Sequence, residues 1–234
     1  MSEAVLAANE GKNLVMEVEG RRYARYAVKT HVITDKDDIV EVCQRYAGPL
    51  LQAGDTLFIS EKIVACTQKR AIPMKDIHPR RLAVFLSKHV QKTPVGIGLG
   101  IPETMEMALQ ECGTLRILFA AFVSVIGKIF GKHGWFYHVA GEKARAIDGP
   151  CDYTLPPYNE YVVLGPTDPD EVAVRVSKAL GHSVTVVDAN DLGVNILGVS
   201  DSSMSRERLA AIIKDNPLDQ KSQQTPLGII RPEN

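Results

Sequence analysis

The stretch Ser183 to Gly193, Ser-Val-Thr-Val-Val-Asp-Ala-Asn-Asp-Leu-Gly, sets the tightest limit on what this chain can become. Ser183 to Val187 are β-branched or small and contain no breaker, which is the composition of a short, buried strand. The strand ends in acid, with Asp188 and Asp191 flanking Asn190 where the pattern gives way to a loop closed by Gly193. Oxygen ligands at a strand end suit a hard cation, because Mg²⁺ or Mn²⁺ prefers carboxylate and amide oxygens and bridges to phosphate. Asp and Asn are also the ordinary residues of a tight turn, and on this window alone the turn is their commoner use.

A second stretch repeats the pattern. After Gly131-Lys132-His133-Gly134, Trp135 to Val139 reads as a strand, and beyond a turn at Gly141-Glu142-Lys143 the residues Ala144 to Ile147 lead into Asp148-Gly149-Pro150. A β segment therefore ends in Asp at 148 and another at 188. Strand-end carboxylates in separate segments can face one another across a sheet; bringing such like charges together is costly, and a divalent cation offsets the cost. A third candidate is the pair Ser60 and Lys62, at the end of a short strand Thr56 to Ser60. There a hydroxyl, an ammonium and a backbone amide can meet a phosphate. The ordinary reading of Ser-Glu-Lys after a strand is a solvated helix start.

The remaining elements follow from periodicity and punctuation. Alternation from Leu14 to Thr34 gives a β-hairpin with Gly20 in its turn, and Asp35 or Asp37 caps a helix whose apolar face holds Ile39, Val40 and Cys43. A helix runs from about Arg80 to Val90, with Leu82, Phe85, Leu86 and His89 on one stripe. Gly96, Gly98 and Gly100 precede a helix started by Pro102 and Glu103, but their spacing fits neither the dinucleotide fingerprint nor the Walker loop. With no βαβ unit around them, a dinucleotide oxidoreductase ranks last among the readings. The apolar run Leu115 to Ile129 predicts a buried helix, and its most apolar part is too short to span a bilayer. Thr167-Asp168-Pro169-Asp170 caps a helix with Val172, Val176 and Leu180 in line; a strand at 194–199, a helix at 202–215 and a last strand at 225–231 complete the chain.

Length and composition limit the class. With 234 residues and 45% hydrophobic content, residues 14–234 can bury a core as one domain made of two packed lobes, while the small and polar residues 1–13 are expected to be mobile. A net charge of −1 gives no nucleic-acid track and no attraction to an anionic membrane surface. Cys43, Cys66, Cys112 and Cys151 are scattered, with no zinc-ligand spacing, and read as reduced thiols of the cytoplasm, most of them in the core. Met1 to Asn9 lacks the pattern of a signal peptide.

Three segments in this order resemble the coenzyme F-420:L-glutamate (γ-glutamyl) ligase family: Phe58-Ile-Ser-Glu-Lys-Ile-Val, then Lys132-His-Gly-Trp through Ala146-Ile-Asp148, then Leu164-Gly-Pro-Thr-Asp-Pro-Asp followed by Val186-Val-Asp188-Ala-Asn. The resemblance implies a mixed-sheet α+β fold in two lobes, a homodimer, and GTP used with divalent metal ions. It implies phosphorylation of a small carboxylate, then attack by the amine of L-glutamate on the acyl phosphate. Asp148 and Asp188 match the family's metal-binding aspartates, with Asn190 or Asp191 available as further ligands. Ser60 and Lys62 match its nucleotide-contacting segment, and His133 and Gly134 stand where its chain enters the site. No residue is matched to a catalytic acid or base.

The chain also departs from the family pattern. Ala189 stands where the family has Thr after the second Asp, Ala65-Cys66-Thr67-Gln68-Lys69 replaces its Ser-Lys-Ala-Glu-Gly continuation, and a block that the family carries after the second Asp has no counterpart between Gly198 and Leu209. The leading expectation is a ligase acting on a small carboxylate, and the alternative is a non-catalytic homologue that binds a nucleotide or small ligand as a sensor or partner subunit.

Overall fold

The chain opens with β1 (Val15–Val18) and β2 (Arg21–Val28), followed by α1 (Ile39–Tyr46), β3 (Thr56–Ser60) and α2 (Glu61–Thr67). A long excursion then contains β4 (Ala71–Pro73), α3 (Arg81–Ser87), α4 (Pro102–Glu111), α5 (Thr114–Ile129), α6 (Trp135–Ala140), α7 (Glu142–Arg145) and β5 (Tyr161–Val163). The last part contributes α8 (Pro169–Leu180), β6 (Ser183–Asn190), β7 (Gly193–Val199), α9 (Arg206–Ile212) and β8 (Leu227–Glu233). The computed structural model describes residues 6–90, 97–131, 134–152, 154–190, 193–219 and 223–233. It divides into two compact units, one of Met1–Lys69 with Pro166–Asn234, the other of Arg70–Gly165.

The first unit is built on a six-stranded mixed sheet in the order β1-β2-β8-β3-β6-β7, in the α+β class expected. Among the described residues of this sheet only β3 and β6 run parallel, in a register that sets Thr56 beside Ser183 and Ser60 beside Val187. β8 lies between β2 and β3 and pairs antiparallel with both. Because side chains alternate along a strand, each strand feeds two cores. On one face Leu57, Ile59, Val184 and Val186 pack with Ile39 and Val42 of α1, Ile63 and Val64 of α2, and Val172 and Val176 of α8. On the other, Tyr23, Phe58 and Val187 pack with Leu209 and Ile212 of α9.

The caps of this unit differ from expectation in instructive ways. Asp38, not Asp35 or Asp37, caps α1, accepting from the backbone N–H groups of Val40 and Glu41, and Val42 rather than Val40 completes the buried stripe. Asp37 instead accepts from the backbone N–H and hydroxyl of Thr34 and pairs with His31 Nε2. Residues 6–13, expected to be mobile, are held: Ala7 bridges Ala27, and the Asn9 carboxamide donates to the carbonyls of Pro217 and Leu218 and to Thr225 Oγ1.

The second unit is mainly helical around Met105, Leu109, Ile117, Ala144 and Val162, with a two-stranded ladder of β4 and β5. Trp135 to Val139, expected as a strand, forms α6. Its aromatic and β-branched residues favour strands in isolation, but Gly134 and Gly141, both at positive φ, bound a single helical stretch that packs on α5. Likewise the segment before Asp148 is the short helix α7, made of Glu142, Lys143, Ala144 and Arg145, all strong helix formers. The largest departure is α5. It is a helix as expected, but it is not buried. Leu115, Phe119, Phe122, Val125 and Ile129 are exposed, and only Ile117, Ala120 and Gly127 are buried. Among the described residues, no single helix is long and apolar enough to cross a membrane.

Candidate functional site

In the first unit, the candidates gather at the carboxyl ends of the parallel strands β3 and β6, where open α/β sheets present ligands to helices and loops. β3 ends at Ser60, whose backbone N–H donates to Pro226 O and whose hydroxyl makes no capping bond to the helix that begins at Glu61. Lys62 is half-buried in the first turn of α2, and α2 packs against β6. Ser60 and Lys62 thus stand at a helix start, which is the ordinary reading of this run, and at the end of the sheet that the functional reading requires.

β6 does not stop where the apolar run stops. It continues through Asp188, Ala189 and Asn190, which pair with Asn195, Val194 and Gly193 of β7. Asp188 and Asn190 therefore lie in a strand and not in the loop expected for them, because β7 supplies the backbone partners that a turn would otherwise leave to water. The period of two puts both side chains on one face, and Asn190 Nδ2 donates to Asp188 Oδ1 at 3.4 Å. Just before them the β6–β7 register slips, with Val186 opposite Gly198 and Val187 opposite Ile196, so that Leu197 is an extra residue on β7. A bulge of this kind increases the local twist and re-aims the side chains beyond it. No feature of the sequence marks it.

The same alternation accounts for the departure at 189. Ala189 packs with Val187 and Ile196 against the α9 side of the sheet, on the opposite face from Asp188 and Asn190. In this chain Asn190, two residues on, donates to Asp188, and a hydroxyl at 189 would face the apolar core.

The second unit carries two further candidates. Gly134 has φ 85°, the left-handed conformation, and precedes α6. Asp148 is exposed, and its backbone is pinned to Val163 by two hydrogen bonds, Asp148 N–H to Val163 O at 2.8 Å and Val163 N–H to Asp148 O at 2.9 Å. It sits on an isolated bridge and not at the end of a strand, so the two aspartates do not repeat one local motif. The expectations for His133 and Asp191 lie outside the described residues.

The donor set fits a hard cation of modest protein ligation. Among the described residues no three His, Cys, Asp or Glu side chains group closely enough to hold a metal ion. One carboxylate and one carboxamide on β6 are nonetheless the kind and number of ligands that Mg²⁺ takes from protein when phosphate and water complete its shell. The carboxamide can turn over about its broad terminal torsion, exchanging nitrogen for oxygen toward Asp188. A hollow of about 550 Å³ lined by Asp170, Val199, Ser203 and Arg206 lies toward the opposite end of the β6–β7 hairpin and holds none of these candidates. There Asp170 Oδ1 accepts from Val199 N–H and from Arg206 Nη2, tying α8 to β7.

A family model described as F420-0:Gamma-glutamyl ligase matches residues 27–212 of this chain. No curated protein gives a match to it.

Proposed function

The chain belongs to the F420-0:gamma-glutamyl ligase family, and from that premise we propose that it joins L-glutamate to a small carboxylate in a reaction that consumes GTP and requires Mg²⁺ or Mn²⁺. The γ-phosphoryl group passes to a carboxylate oxygen, giving an acyl phosphate and GDP. The glutamate amine then attacks the acyl carbon, a C–N bond forms, and phosphate leaves as the amine loses its proton.

The observation that carries the reading is the placing of Asp188 and Asn190 side by side at the end of β6, next to the strand that delivers Ser60 and Lys62. Asp188 and Asn190 would hold the cation, and the Lys62 ammonium and the Ser60 hydroxyl would bind and orient phosphate oxygens. When bound, the cation supplies positive charge to the phosphoryl oxygens as the P–O bond breaks. Asp148 is a further candidate ligand, and His133, Gly134 and Asp191 are further candidate contacts, on the strength of the family resemblance.

The test is phosphate release from GTP with Mn²⁺, L-glutamate and a panel of small carboxylates, deazaflavin precursors among them. Release that depends on both acceptor and glutamate, and that falls by about 100-fold or more in Asp188→Ala, is the expected result. Calorimetric binding of GTP and Mn²⁺ with no release on any acceptor would instead establish a nucleotide-binding, non-catalytic homologue. The absence in this chain of the block that follows the second Asp in the family is what favours that second reading.

A further inference from the structure

We propose that the exposed face of α5 seats the protein on an anionic lipid bilayer, with the helix lying in the plane of the interface. The inference goes beyond the ligase reading and rests on separate residues.

At about 100° per residue, Leu115, Leu118, Phe119, Phe122, Val125, Ile126 and Ile129 fall within one stripe roughly 120° wide. No polar residue interrupts it. All but the half-buried Ile126 are between 39% and 83% exposed, and the adjoining Phe130 is 71% exposed. The helix thus turns Ile117 and its small residues Ala120 and Gly127 toward its own unit and most of its large apolar residues outward, the reverse of a core helix. Single exposed apolar side chains are ordinary, but a contiguous set of this size marks an interaction surface.

Charge identifies the partner. Arg116 and Lys128 stand on opposite flanks of the stripe, each about 60° beyond its edge by the same helical count. Residues 112–141 contain no Asp or Glu. The whole unit 70–165 carries eleven Lys and Arg against eight Asp and Glu, whereas the rest of the chain carries sixteen against twenty, so the near-neutral total conceals a basic unit bearing the stripe. Long basic side chains flanking a bulky apolar face, with the half-buried Trp135 at the start of the helix packed beside it, form the pattern of an interfacial helix, while Phe136 and Tyr137 of that helix turn toward the unit's core. Sixteen residues are about 24 Å of helix, less than the hydrocarbon thickness, which fits lying in the surface and not crossing it. Pairing of this face with itself in a second copy is a poorer arrangement, because two such faces related by a twofold axis bring Arg116 and Lys128 of both copies onto a shared rim with no carboxylate from the helix to meet them.

The experiment is co-sedimentation of the full chain with vesicles of phosphatidylcholine containing about a third phosphatidylglycerol, against phosphatidylcholine alone, at roughly 0.1 M and 0.5 M NaCl. Trp135, the one tryptophan of the sequence, gives a parallel fluorescence signal. Binding to the anionic vesicles that falls several-fold in neutral vesicles or high salt, about tenfold or more in Phe119→Ser/Phe122→Ser, and in part in Lys128→Glu, is expected. Both changes fall on exposed side chains, so an unchanged thermal melt confirms that the fold is intact. Failure of the wild-type chain to bind anionic vesicles overturns the proposal, as does binding that the double serine variant leaves unaltered. A wild-type dimer that the same variant converts to monomer, seen by analytical ultracentrifugation, would assign the face to a second copy and also overturn it.

Discussion

Asp188 and Asn190 share one face of β6, with the Asn190 amide nitrogen 3.4 Å from the Asp188 carboxylate. This pair is what the strand's continuation beyond its apolar run creates. Replacing Asp188 by Ala removes the only charged donor of the two and should weaken Mn²⁺ binding in the presence of GTP by about 100-fold; Asn190→Ala should cost about tenfold. Electron paramagnetic resonance of free Mn²⁺ measures both. Equal affinity in wild type and Asp188→Ala would remove β6 from the cation site.

Gly198 lies under the start of α8, where an added Cβ would come within 2.3 Å of the Pro169 backbone. The obstacle is main chain and not a rotatable side chain, so the strand or the helix must shift. Gly198→Ala is expected to destabilise by about 1–3 kcal/mol, seen as a drop of several degrees in Tm. A melt within a degree of wild type would mean that α8 has room to slide.

The fully buried Arg25 guanidinium donates to both oxygens of Asp215 and to the carbonyls of Asn13 and Ile212. Burial pushes the Asp215 carboxyl up, but the hydrogen bond and charge of Arg25 outweigh it and hold the group below the usual carboxylate range. A carboxylate depressed in this way stabilises the fold above about pH 4, near the unfolded value, and that contribution fades as pH falls through the lower folded value. Urea midpoints from pH 6 downward should therefore fall more steeply in the wild-type chain than in Asp215→Asn. The variant itself should be less stable at pH 6, because it leaves a buried guanidinium without its counter-charge.

Thiol reactivity checks the two cores. Cys43 and Cys66 are buried, and burial, reinforced by Asp38, pushes the Cys43 thiol up to about 12. Cys112 and Cys151 are only half-buried. At most those two should react with an aromatic disulfide reagent at pH 8, with all four reacting after denaturation. A third fast thiol would place an opening at α1 or α2.

The parts of this architecture that local chemistry decides were legible in the chain. The hairpin with Gly20 in its turn, the strand from Ser183 and the helix after Thr167 rest on breakers and periods that neighbouring residues supply, although Asp168, expected to cap that helix, makes no side-chain capping bond and Asp170 bonds to β7 and α9 instead. Non-local effects were not legible. The strand through Asn190 exists because β7 is there to pair with it, and the slip at Leu197 depends on that pairing. The run Trp135 to Val139 looks β-prone until α5 gives it a surface on which to coil. Leu115 to Ile129 shows the limit most plainly, since apolarity predicts burial only when something in the same chain is available to cover it. Ser60, Lys62, Asp188 and Asn190 were visible as residue types, whereas the alternation that separates Asn190 from Ala189 needed the sheet.

The position of β8 between β2 and β3 has a consequence for biosynthesis. Both of its neighbours leave the ribosome long before it does, more than 160 residues ahead in the case of β3. At about 5–20 residues per second, β2 and β3 wait on the order of ten seconds with open edges facing one another across a missing strand, while the helical excursion has time to fold first. A nascent chain halted before residue 227 therefore holds a gap in the middle of its sheet, the kind of vacancy that chaperones shield and that a stray strand from another chain can enter.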